Sequence, residues 1–124
     1  MTRAVKYENG SANNSGSVAY EYCLSCDGAL AHRKEYDTGV STKVDSWKRY
    51  EYDGMKLLRV DEKYDTGGGS IDTNDPWRTL EASTYGPGIV GNLLGKLVYN
   101  HTDNDATPDS QAEYYYHYDH VGNV

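Results

Sequence analysis

Cys23 and Cys26 are the only cysteines in the chain, and they form a single CxxC. Two thiolates at that spacing can bind one tetrahedral zinc ion or form a redox pair. Zinc needs two further ligands. His32, His101, His117 and His120 are the available imidazoles, and none has finger spacing to the cysteines. A thioredoxin-type pair opens a helix within a βαβ unit. Here the flanks, Tyr20-Glu21-Tyr22 and Asp27-Gly28, read as strand and turn. An inert structural role is preferred to metal binding by Cys23 and Cys26, and metal binding to redox chemistry.

Asp65, Asp72 and Asp75 lie in a Gly-rich loop with a faint likeness to a calcium loop. Such a loop needs oxygen ligands at alternate positions and a bidentate Glu at its end. Gly67, Gly69 and Pro76 occupy those places, so an ordinary solvated loop is the expectation. No Gly-rich phosphate loop ends in Lys and Ser/Thr, and no Ser sits in a nucleophile elbow. His117 and His120 fall on opposite faces of a strand and do not share a site. Asn9, Asn13 and Asn100 begin glycosylation-type tripeptides, which an Asn-rich chain contains by chance. These readings predict no enzyme activity and no cofactor.

Period-two alternation bounded by Gly, Asn, Asp and Ser is the recurring pattern, so the chain is expected to be all-β and antiparallel. Strands are predicted at Arg3–Tyr7, Val18–Leu24, Ala29–Tyr36, about Thr42–Tyr52, Met55–Lys63, Trp77–Tyr85, Leu93–Tyr99 and Glu113–Asp119. Loops fall between them, including one through Glu8–Gly10 and Asn13–Gly16. Asp53-Gly54 is the strongest hairpin signal, because both residues tolerate positive φ. Leu58 and Val60 are expected to share one face of the return strand. Tyr114, Tyr116 and Tyr118 are expected to share a face of the last strand. Gly86-Pro87-Gly88 must turn, and Gly122-Asn123-Val124 reads as the start of an unfinished hairpin.

Nineteen of 124 residues are Leu, Ile, Val or Phe. That falls below the roughly 20% typical of chains that fold on an aliphatic core. Thirteen Tyr residues compensate, since each ring buries apolar area and favours strands. A net charge of −7 argues against nucleic acid and anionic membranes as partners. No apolar run approaches the roughly 20 residues of a membrane span, and Met1–Val5 lacks the apolar stretch of a secretion signal.

Tyr followed by Asp and a Gly or Asn turn occurs at Tyr36-Asp37, Tyr52-Asp53-Gly54, Tyr64-Asp65 and Tyr118-Asp119. Tyr116-His117-Tyr118-Asp119-His120-Val121-Gly122-Asn123-Val124 resembles the unit of the YD-repeat (RHS) family. Thr84–Gly88 with Gly91–Leu94 is similar to the segment leading into that family's repeat-associated core domain. The likeness covers about residues 47–124 of a single 124-residue segment, with residues 1–46 similar in style only. The resemblance implies an extended, spiralling sheet forming part of a hollow shell. Such shells enclose a C-terminal toxin or effector, or form secreted and cell-surface proteins, and their strands pair with adjoining repeats. The relatives' self-cleaving aspartate site has no match here. Two other readings remain open: a carbohydrate-binding or adhesive surface, and a small zinc module on Cys23 and Cys26.

Overall fold

The computed structural model describes the backbone of residues 2–8, 11–23, 28–37, 43–87 and 92–118, and side chains from Val18 onward within those ranges. Eight strands follow one another: β1 (Thr2–Glu8), β2 (Ser11–Cys23), β3 (Ala29–Tyr36), β4 (Val44–Asp53), β5 (Lys56–Lys63), β6 (Trp77–Tyr85), β7 (Leu93–Asn100) and β8 (Ser110–Tyr115). They form one sheet in chain order, with every neighbour antiparallel. The chain is therefore all-β, a continuous meander of hairpins.

Two expectations need correcting. Asn13–Gly16 is strand, not loop, because β2 starts at Ser11. The cost shows in its register: Ala4 pairs with Val18 but Lys6 already pairs with Asn13, so four β2 residues pass a single β1 residue. The last strand is Ser110–Tyr115 and not Glu113–Asp119, so Tyr116 and Tyr118 lie beyond it.

The β4–β5 hairpin closes on Gly54-Met55, with Asp53 and Lys56 as its last paired residues. Gly54 has φ +59°, and a Cβ added there meets nothing within 4 Å. Substitution is thus opposed by backbone strain and by no clash. Gly54→Val is expected to cost about 1–2 kcal/mol, read as a lower chemical unfolding midpoint. An unchanged midpoint contradicts this turn.

A β-bulge recurs one or two residues into the returning strand. Ala31, Asp45, Leu58 and Leu94 are each the unpaired extra residue in their hairpins. The bulge explains why Leu58 and Val60 do not share a face as expected: Leu58 is exposed while Val60 is buried. Bulges bend a strand and increase its local twist. Among the described residues the buried apolar side chains are only Ala19, Val60 and Ile71. A single layer this poor in aliphatic burial must be held by other contacts.

Candidate functional site

Those contacts are two kinds of clasp and one cation–aromatic cluster. At the sheet end carrying the Gly54 turn, Tyr22 pairs with Leu30, Tyr52 with Leu57 and Tyr85 with Leu93. Tyr85 then donates its hydroxyl to the Leu57 carbonyl of the previous hairpin at 3.0 Å, and Tyr118 donates to the Leu93 carbonyl at 2.7 Å. Tyr22, Tyr52, Tyr85 and Tyr118 are separated by 30, 33 and 33 residues. The repeating unit is therefore a two-stranded hairpin of that length. Tyr85→Phe removes one hydroxyl and leaves the ring, so a loss of about 0.5–1.5 kcal/mol is expected. Unfolding by urea checks this; a midpoint equal to wild type would show that the clasp contributes nothing.

The opposite end is closed by carboxylates. Thr66 donates its N–H and its hydroxyl to Asp75, and Thr102 does the same to Asp109. Asp65 accepts the N–H groups of Gly67, Gly68 and Gly69 at 2.7–2.8 Å. These bonds favour the ionised carboxylates. The Gly67 and Gly68 N–H groups lower Asp65, the Asp72 N–H lowers Asp75, and the Thr102 N–H lowers Asp109. The Asp65 loop thus satisfies its acids internally with backbone donors. It also folds back on β4, where Ile71 donates to the Val44 carbonyl and Ser70 Oγ accepts from Val44 N.

One face of the sheet carries a cation–aromatic row. Lys34 pairs with Trp47 across β3–β4 and Lys63 with Trp77 across β5–β6, and partners opposite each other share a face. Lys34 Nζ lies 3.6 Å from the Trp47 ring centroid, and Lys63 Nζ lies 5.0 Å from both indoles. Arg49 stacks at 4.5 Å over Trp77. The Trp47 and Trp77 centroids are 6.0 Å apart, and His32 on β3 lies 6.0 Å from Trp77 on β6. Three strand spacings of about 4.8 Å separate β3 from β6. The rings therefore converge above the sheet and serve as its second layer.

Lys63 is only 6% exposed. Its ammonium donates to the Thr73 and Asp75 carbonyls at 2.9 and 2.6 Å, which fastens the Asp65 loop to the indoles. Burial lowers its pKa. Asp61, 2% exposed, accepts two bonds from Arg49 and one from Thr79. Arg59 Nε lies 3.2 Å from its other oxygen without an aligned hydrogen bond. A cavity of about 320 Å³ opens beside this group, lined by Arg49, Arg59, Asp61, Trp77 and Thr79. Arg49 pairs with Asp61, and Arg59 with Glu51, so the lining charges are already engaged.

His32 Nδ1 accepts the Trp47 indole N–H at 3.3 Å, which requires an unprotonated nitrogen. Burial lowers the His32 pKa; Lys34 and Arg49 add to this and Glu21 opposes it. The unfolded chain then takes up this proton first as pH falls. The contribution is complete above the ordinary value of 6.5 and is lost as pH drops below it toward the folded value. Wild type is expected to lose more stability between pH 8 and pH 5.5 than His32→Gln, followed by tryptophan fluorescence. Parallel losses in the two proteins contradict the assignment.

The sequence-derived residues divide clearly. Tyr52, Asp53 and Gly54 lie at a hairpin end, Tyr64 and Asp65 open the clasped loop, and Tyr118 joins the tyrosine clasps. Tyr116 N–H bonds to the Leu94 carbonyl. Gly86 N–H bonds to the Asn92 carbonyl, closing the turn that includes Pro87. Gly88, Asp119, His120, Gly122, Asn123 and Cys26 lie outside the described residues. Cys23 is disulfide-bonded, and Cys26 is the only other cysteine in the chain. Among the described residues no three His, Cys, Asp or Glu side chains gather as a metal site. Trp47, Asp61, Lys63 and Trp77 were not singled out as a group by sequence reasoning. No family model, curated protein or solved structure matches the chain.

Proposed function

We propose that this chain is a non-catalytic wall segment of a YD-repeat-like β-shell. The recurring hairpin unit carries the reading: the same Tyr–Leu pairing returns every 30 or 33 residues along one open sheet. Repeat architectures are built this way, each unit burying its surface against the next. The shortage of buried aliphatic side chains supports the same role, because a wall needs lateral contacts more than a central core. A bridged Cys23 suits the oxidising compartment of a secreted or surface protein. The sheet would be continued by adjoining repeats, and the enclosed cargo would be a toxin or effector. The test is the reading frame encoding this segment. Further hairpin units with Tyr at intervals of about 33 residues are expected; a frame encoding residues 1–124 alone overturns the proposal.

The second reading is an adhesive or sugar-binding surface. It draws on Tyr114 and Tyr115, which are 51% and 72% exposed. A glycan panel distinguishes the two: no binding is expected of a wall, whereas binding lost in Tyr115→Ala favours adhesion.

A further inference from the structure

We propose that residues 101–109 form a strap, latched by Arg78, that closes one cavity on each face of the sheet, so that the two cavities open together. The strand places Arg78 for this role. Glu62 pairs with Arg78 across β5–β6, between the Asp61–Thr79 and Lys63–Trp77 pairs. Successive residues alternate faces, so Arg78 leaves the face opposite to Asp61, Trp77 and Thr79. Its guanidinium is fixed without the loop: Nε and Nη2 bind Glu62 at 3.0 and 2.9 Å, and it lies 5.2 Å from the Tyr64 ring centroid. The side chain is 10% exposed.

Nη1 serves the strap. It donates to the Asp103 carbonyl at 2.6 Å and to the Asp105 carbonyl at 3.0 Å. Asn104, between them, lines a cavity of about 230 Å³ with Glu62, Tyr64 and Arg78. Ala106, the residue after Asp105, lines the cavity of about 320 Å³ with Asp61, Trp77 and Thr79. One short segment thus forms a wall of both cavities, and these lie on opposite faces.

The neck of the loop closes on itself, through Asp109 N–H to the Asn100 carbonyl and Thr102 to the Asp109 carboxylate. His101 Nε2 donates to the Thr79 carbonyl. Every residue from Thr102 to Asp109 is exposed, so no apolar burial holds the middle. The 64–76 loop differs, because Ile71 is buried and its N–H bonds to the Val44 carbonyl. Segments with few buried apolar contacts open at low free energy. The two bonds from Arg78 are therefore what keeps the middle of this loop down. This inference does not rest on the shell reading.

Amide exchange on the full chain tests the latch. Arg78→Lys keeps the charge but lacks the planar fork that holds Glu62 and two carbonyls at once. The bonded amides of Thr102, Thr107 and Asp109 should then exchange about ten-fold faster or more. Amides of the β6–β7 ladder should keep their rates. Thr102→Val loosens the loop from its own side and leaves Arg78 in place, so it should quicken the Thr107 and Asp109 amides too. In Thr102→Val, acrylamide should quench tryptophan fluorescence more strongly, through Trp77. Tetranitromethane should also nitrate Tyr64 faster, as mapped by mass spectrometry. Unchanged loop exchange in both variants overturns the proposal. So does a rise in only one of quenching and nitration, because the two cavities would then open separately. Ladder amides that quicken as much as those of the loop overturn it as well, since the loop would open only with the sheet.

Discussion

Asp61→Ala is expected to destabilise the chain by about 3–5 kcal/mol, the cost of removing one partner from a buried ion pair. The carboxylate accepts from Arg49 and Thr79, with Arg59 beside it, and is almost fully enclosed. Without it, two guanidinium groups face each other on adjacent strands, and the Thr79 hydroxyl loses its acceptor. The net stability of a small domain is about 5–15 kcal/mol, so this is a large share of the total. Asp61→Ala should give little folded protein at 37 °C and a sharply lower urea midpoint at 25 °C. Adding Arg49→Leu should recover part of the loss, because the most deeply stranded charge goes with it. An Asp61→Ala midpoint close to wild type would mean that the arginines reach solvent freely and that the buried pair is incidental.

Trp77→Ala comes next, at about 2–4 kcal/mol, near or below the usual figure for a fully buried Trp because this ring is half-buried. Its indole touches Trp47 and His32, underlies Arg49 and lies beside the Lys63 ammonium. Removing it takes the middle out of the layer that substitutes for an aliphatic core. Lys63 would then be more exposed to water, and the loop it fastens at Thr73 and Asp75 should loosen. Hydrogen exchange should therefore quicken at residues 66–75 as well as along β6. Loss of stability without faster exchange in that loop would separate the indole from the loop anchor.

Much of the sheet was legible because alternation is local. β3 and β6 fall at the expected residues, since Ala29–Tyr36 and Trp77–Tyr85 are bounded by Gly, Asp and Pro signals. Asn13–Gly16 read as loop on composition, yet it lies within β2, with Asn13 paired to Lys6 and the next four residues passing a single β1 residue. The Tyr–Leu pairing at Tyr22, Tyr52 and Tyr85 was not legible from the Tyr-Asp pairs, because its Leu partners are set by register. Tyr22 is followed by Cys23 and Tyr85 by Gly86, but a hydroxyl reaching the previous hairpin's carbonyl needs no Asp. Asp61 and Lys63 could not be read as buried, because their cover comes from side chains on other strands.

The central claim is that the chain is a linear array of interchangeable hairpin units. Tyr52 and Tyr85 occupy equivalent positions, so residues 53–85 can be duplicated in frame directly after Tyr85. The measurement is the urea unfolding midpoint of this lengthened chain against that of the original. Stability in repeat architectures is close to a sum of unit and interface terms. The lengthened chain is predicted to fold with proportionally more strand signal and a midpoint equal to or above the original. A lower midpoint, or loss of the cooperative transition, would show that the sheet is a closed domain whose hairpins cannot exchange places.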